Sequence, residues 1–299
     1  MTTPDLHGLR ATRVTDPDAV LTAAQRRTRR PLGARMMLIA ADHPARGSLG
    51  VRDNPMAMAD REDLLARLVT ALAIPGVDGV LGTADVLEDL LLLGALEGKV
   101  VIGSMNRGGL QGSAFELDDR FTGYDAAGIA TMGFDGGKML TRIALDEPDS
   151  VATLEACAHA VNDLAAHGLM AMVEPFMSTV VGGRVVNDLS SEAVQRSVAI
   201  ASGLGTTSRH TWLKLPVVDE GMDEVCRATT MPILLLGGDP SGPAEENYER
   251  WEQALDHDGV QGLIVGRALL YPPDGDVAAA VTEAVRMVHR DVDQAVTPA

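Results

Sequence analysis

A (β/α)8 barrel is the fold this sequence predicts, and two observations carry the prediction. Eight short apolar runs alternate with longer amphipathic stretches through most of the 299 residues, the arithmetic of eight strand–helix units. A doubly wound open sheet would usually place a GxGxxG turn after its first strand, but here the first apolar run leads into "ADHPARG".

Taken in order, residues 1–34, with "RRTRRPLGAR", read as a leading helix and linker placed to close the barrel floor. Residues 35–299 read as the barrel. Its strands are "RMMLIAAD" (35–42), "VDGVLG" (77–82), "KVVIGSM" (99–105) and "KMLTRIAL" (138–145). The second half adds "LMAMVEP" (169–175), "TWLKLPV" (211–217), "PILLLGG" (232–238) and "GLIVGR" (262–267). Helices fill the intervals. "SVATLEACAHAVNDLAAHG" (150–168) opens on a Ser cap behind acidic residues and ends on Gly, and "SSEAVQRSVAIASGLG" (190–205) follows the same grammar. After the third strand, "NRGGLQGSAFELDDRFTGYD" (106–125) is a long Gly-rich insertion whose length favours a lid over the barrel mouth.

Composition narrows the function. A formal net charge of −17 argues against a nucleic-acid partner, which needs a basic surface, yet leaves room for a small anionic substrate held by a few local cations. Cys157 and Cys226 form no CxxC or His-paired spacing, so neither a disulfide framework nor a zinc site is expected. The richest apolar run, "VLEDLLLLGAL" (86–96), is short and carries acids, so no membrane span is expected. "MTTPDLHGLR" lacks the apolar core of a signal peptide, and a reduced cytoplasmic setting is expected.

The chemistry-bearing residues emerge from a count. Only three lysines, Lys99, Lys138 and Lys214, stand beside 22 arginines. Lysine alone of the two can lose its proton and attack a carbonyl. In such a barrel the active site lies at the C-terminal ends of the strands, where the first strand ends in Asp42 and the fifth in Glu174. Side chains alternate along a strand, so if Leu213 and Leu215 face the helices, Lys214 points inward with Trp212. By the same parity Asp42 follows Leu38 and Ala40, Glu174 follows Met170 and Met172, and Lys138 shares a face with Leu140 and Arg142. A single strand lysine is usually an edge or snorkelling residue, and a single terminal acid is usually a cap. Four such groups aimed at one interior need a better reason, because buried charges are costly unless paired. Lys138, Lys214, Asp42 and Glu174 are therefore the candidate catalytic residues. Gly237 and Gly238 end the seventh strand, while Gly266 and Arg267 end the eighth. Small residues there admit backbone N–H groups to a phosphate, and an arginine adds a forked contact.

These motifs resemble the class I, Schiff-base aldolases of the deoxyribose-phosphate and tagatose-bisphosphate aldolase superfamily over residues 35–290. "ADHPARG" is similar to the family's first-strand segment and maps its acid to Asp42 and its arginine to Arg46 as a substrate contact; an additional His-Pro, His43 and Pro44, intervenes. "GGKML" matches the strand-four lysine at Lys138, "MVEP" the strand-five acid at Glu174, and "WLKLP" the Schiff-base lysine at Lys214. Archaeal-type fructose-bisphosphate aldolases use Tyr where this chain has Glu174, which places it on the tagatose-bisphosphate side. "AMVEPFM", "TWLKLPVV" and "VGRALLYPPDGD" are similar to an actinobacterial group associated with myo-inositol breakdown. The resemblance implies a homo-oligomeric carbon–carbon lyase, needing no metal or cofactor, that acts on a phosphorylated sugar or keto-acid. It points to cleavage of 2-deoxy-5-keto-gluconate 6-phosphate into dihydroxyacetone phosphate and malonate semialdehyde. Alternatives are a thiolase-like or isomerising enzyme using the same lysine, or a barrel that binds a sugar phosphate without catalysis.

Overall fold

A computed structural model describes residues 4–237 and 244–290. Two helices lead, α1 (Leu6–Thr15) and α2 (Ala19–Arg26), followed by β1 (Met36–Ala41) and a 3-10 turn at Pro44–Arg46. Then come α3 (Arg61–Ala73), β2 (Gly79–Gly82), α4 (Ala84–Leu92), β3 (Val100–Ser104), α5 (Ala126–Thr131) and β4 (Gly136–Ile143). The second half runs α6 (Asp149–Ala166), β5 (Met170–Val181), β6 (Arg184–Asp188), α7 (Ser191–Ser202), β7 (Thr211–Leu215) and α8 (Met222–Arg227). It ends with β8 (Ile233–Leu236), α9 (Ala244–Ala254), β9 (Val260–Val265), α10 (Arg267–Leu270) and α11 (Val277–Val288). The parallel order β4-β3-β2-β1-β9-β8-β7-β5 is closed by pairing of β4 with β5, and β6 hangs on β5 antiparallel. This is a closed eight-stranded (β/α)8 barrel.

Alternation divides the apolar residues into two shells, as the period of a strand requires. Inside lie Met36, Leu38, Ile102, Met170, Met172, Leu234 and Ile264, with Trp212 packed against them. Between strands and helices lie Met37, Ile39, Val101, Val173, Leu213, Leu215, Leu235 and Val265. Leu213 and Leu215 do face the helices, so Lys214 points into the barrel.

The floor is tied by charge. Asp78, just before β2, accepts the Met37 N–H at 2.7 Å, and Asp135, just before β4, accepts the Val101 N–H at 2.8 Å. Arginines from the leading segment reach both: Arg30 pairs with Asp78 at 2.6 Å and Arg29 with Asp135 at 2.9 Å. Arg27 donates to the carbonyl of Lys99 at 2.6 Å. His289, at the end of α11, meets Asp78 at 2.9 Å. That hydrogen bond raises the imidazole pKa above its usual value, against the opposing effect of burial. A raised folded-state pKa stabilises fully below the ordinary imidazole value and loses that contribution as pH climbs through the folded one. His289→Gln is therefore expected to lower Tm more at about pH 5.5 than at about pH 9. An equal loss at both, in thermal melts, would show that the imidazolium contributes nothing.

Three local readings need correction. The fourth strand is displaced by two residues, from 138–145 to Gly136–Ile143, because Gly136 and Gly137 already pair in the sheet. Ser150 does not cap α6, whose N-cap is Pro148; its hydroxyl bonds to both the N–H and the C=O of Ala144 at 2.9 Å. The fifth strand does not stop at Pro175. It runs to Val181, turns through Gly182 (φ 60°) and Gly183 (φ 77°), and returns as β6. Both turn residues are left-handed, which a type I′ hairpin demands and glycine supplies without strain. The 106–125 segment is clasped to the barrel wall. Fully buried Asp119 accepts Arg46 Nη1 at 2.7 Å, Arg142 Nη2 at 2.7 Å and Arg142 Nε at 2.9 Å. Asn106 locks the base of the segment to β4 by exchanging hydrogen bonds with Leu140, at 2.8 Å and 2.5 Å.

Candidate active site

Two strands deliver the central contact. Glu174 in β5 and Lys214 in β7 both point into the barrel, and Lys214 Nζ lies 2.8 Å from Glu174 Oε1. The other carboxylate oxygen, Oε2, contacts Lys138 Nζ from β4. Register places Lys138 beside Met172 and Met172 beside Trp212, one inward layer below Glu174 and Lys214. Lys138 therefore sits deeper, and it also lies 3.4 Å from Asp42 Oδ2. Asp42, just past β1, is held from the other side by Arg107 Nη2 and by the Ser104 hydroxyl at 3.2 Å. Arg107 Nε donates to Ser104 Oγ at 2.8 Å, which fixes this support. The four residues picked out by strand parity are thus one connected cluster.

Its electrostatics follow from counting charges in a buried space. With all groups ionised, Lys138, Lys214 and Arg107 face Asp42 and Glu174, which leaves one positive charge in excess. Burial pulls the Lys138 ammonium well below its usual pKa; Glu174 opposes this, while Lys214 and Arg107 add to it. Burial pushes the Glu174 carboxyl up, but the two lysines overcome that and hold it well below the carboxylate range. Burial likewise lowers Arg107 to about 10, opposed by Glu174 and Asp119. Release of one lysine proton neutralises the cluster and leaves a free amine. Glu174 touches both amines, so it can pass the proton between them.

A cavity of about 180 Å³ opens over Lys214 and Glu174. Its walls include His43, Phe176, Gly237, Gly266 and Arg267; Lys138 is not among them. A Cβ at Gly266 would lie 2.4 Å from the Ala40 carbonyl oxygen, so glycine there lets β9 approach β1 at the mouth. Arg267 opens α10, with Nη1 3.3 Å from the Gly50 carbonyl. Gly238 lies outside the described residues. Arg46 is placed elsewhere than the motif suggested: its guanidinium is committed to Asp119 and to the carbonyls of Gly109 and Asn106, at 2.6 and 3.0 Å. It holds the 106–125 segment and not the cavity, and no residue of that segment lines the cavity.

Three neighbours were missed from sequence. Arg107 and Ser104 brace Asp42; the signal for Ser104 was its inward parity at the end of the third strand. His43 lines the cavity directly after the strand-end acid, with Nδ1 lacking a hydrogen-bond partner. Burial, then the positive charges of Arg267 and Lys214, push its imidazole well below the usual pKa and keep it neutral.

With this geometry in hand, comparison with known proteins is informative at two levels. The Cgl0159-like family model matches residues 34–285, and the chain belongs to that family. The crystal structure of Cgl0159 from Corynebacterium glutamicum is 54% identical, with 95% of this chain and 97% of that one covered and a TM-score of 0.93. An archaeal fructose 1,6-bisphosphate aldolase shares the fold at 19% identity, covering 90% of this chain and 98% of its own, with a TM-score of 0.62. Fructose-bisphosphate aldolase from Slackia heliotrinireducens does so at 14% identity, covering 99% and 93%, with a TM-score of 0.63. Curated proteins give no match.

Proposed function

We propose that this member of the Cgl0159-like family is a class I aldolase that cleaves a phosphorylated ketose or keto-acid through a Schiff base on Lys214. The observation that carries this reading is the placement of the two amines: Lys214 lines the cavity, while Lys138 lies beneath it, and one carboxylate, Glu174, joins them. The fold shared with Schiff-base aldolases agrees with it.

The chemistry runs as follows. Glu174, in contact with both amines, relays the Lys214 proton away from the nitrogen. The free Lys214 amine attacks the substrate ketone, and loss of water gives a protonated Schiff base. A base then removes the proton from the hydroxyl on the carbon that becomes the aldehyde. The carbon–carbon bond breaks and its electron pair moves into the Schiff base as an enamine. Protonation of the enamine carbon and hydrolysis release the ketone product and restore the amine. Glu174 carries the proton transfers, and Asp42, braced by Arg107 and Ser104, orients substrate hydroxyls. The Gly237 and Gly266/Arg267 side of the cavity takes the phosphate.

The test is a panel of phosphorylated ketoses and keto-acids assayed for dihydroxyacetone phosphate, with 2-deoxy-5-keto-gluconate 6-phosphate as the first substrate. Release of a triose phosphate with a matching aldehyde is expected. Turnover without carbon–carbon cleavage would favour an isomerising or thiolase-like use of the same lysine, and binding without turnover a sensor barrel. Arg267→Ala is expected to raise KM for the phosphorylated substrate by the equivalent of about 1.5–3 kcal/mol, with kcat little changed. Equal handling of phosphorylated and unphosphorylated substrate by the native chain would remove the phosphate assignment.

A further inference from the structure

The β5–β6 hairpin carries residues that the site does not use. Met177 pairs with Asp188, Thr179 with Val186 and Val181 with Arg184, and opposed residues share a face of an antiparallel ribbon. Thr179, Val181, Arg184, Val186 and Asp188 on that face are all exposed. Val181 is 60% and Val186 47% exposed, and Leu189 just beyond is 51% exposed. β6 is the last strand in the sheet order, and among the described residues its outer edge has no ladder. A two-residue turn closes on a hydrogen-bonded pair, here Val181 and Arg184. Alternation then directs the N–H and C=O of Val185 and Asn187 at the open edge. An open apolar edge of this kind is a template for another strand.

The sequence of β6, "RVVND", says which strand fits. Pair it antiparallel with itself about a two-fold axis through Val186. Arg184 then faces the second copy's Asp188, Val186 faces the second copy's Val186, and Val185 exchanges backbone hydrogen bonds with the second copy's Asn187. The Arg184/Asp188 and Val186/Val186 positions become non-hydrogen-bonded pairs, whose Cα atoms approach to about 4.5 Å and whose side chains meet most closely. The edge is complementary to itself in charge, shape and hydrogen-bonding phase, as a two-fold interface requires. A chain of net charge −17 repels its copies at long range, and two cross-strand ion pairs at this edge offset that repulsion locally.

We propose that β6 is a homodimer interface, joining two hairpins into a four-stranded antiparallel sheet that bridges two barrels. This inference is independent of the reading of the active site. Sedimentation of the native chain is expected to show a reversible dimer. Val185→Pro removes only an outward N–H, so it is expected to give a monomer with an unchanged thermal melt. Arg184→Asp alone, or Asp188→Arg alone, sets like charges opposite each other and is expected to weaken self-association at least about tenfold. An equimolar mixture of these two variants restores opposite charges at every position and is expected to recover the dimer as a heterodimer. A native chain that stays monomeric would overturn the proposal, as would a dimer indifferent to Val185→Pro and to the charge changes. Loss of association in both charge variants without recovery in the mixture would overturn it as well.

Discussion

Lys214→Arg is expected to abolish covalent trapping of substrate by borohydride and to cut turnover by roughly 10⁴-fold or more, the scale on which removal of a covalent nucleophile is felt. Arginine keeps the positive charge beside Glu174, so the ion pair survives in kind while the amine chemistry does not. In the native chain, peptide mapping after reduction should place the adduct on Lys214. Lys138→Met separates the two lysines. It should still be trapped, because the amine facing the cavity is intact. An adduct on Lys138, or cleavage by Lys214→Arg at the native rate, would reverse the two roles.

Glu174→Gln is the second large effect, a loss of about 10²–10⁴-fold in kcat with trapping retained. The amide still accepts a hydrogen bond from one amine but cannot carry a proton from the other. The variant also leaves Lys138 with Asp42 as its one nearby carboxylate among these groups. Acid stability gives an independent readout of the same carboxylate. A depressed carboxyl contributes stability above its unfolded pKa and loses it as pH falls through the folded value. The native chain should therefore lose stability on acidification more steeply than Glu174→Gln. Normal turnover by the variant would pass the proton-transfer role to Asp42 or to the substrate phosphate.

Strand parity explains why the cluster was legible. Leu213 and Leu215 needed an apolar helix layer, and once they faced outward Lys214 had one direction left. The same period placed Glu174 above Met170 and Met172, and Asp42 above Leu38 and Ala40. What failed were residues whose position depends on distant partners. Gly136 and Gly137 look like a turn, yet the narrow barrel wall accepts them as strand, where Met170 and Ile102 leave no room for a Cβ at Gly136. Pro175 looks like a stop, yet β5 continues past it and uses the Gly-Gly turn that "VVGGRVV" announces locally. Arg46 and Arg107 are both arginines at strand-end loops, and nothing in their immediate sequence says that one holds a loop and the other the strand-end carboxylate of Asp42. Only the fold decides, by setting Asp119 near the first and Asp42 near the second.

The Asp119 clasp has a consequence for binding thermodynamics. Arg46 follows β1 and Arg142 belongs to β4, so one buried carboxylate fastens the 106–125 segment to two separate strands of the wall. A loop that closed over each substrate would lose its conformational entropy afresh at every encounter, and affinity would fall by that amount. Here the ordering entropy is lost once, during folding. Arg107, carried by the same segment, is therefore already in place against Asp42 when a substrate arrives, and none of the binding energy goes into assembling that part of the site.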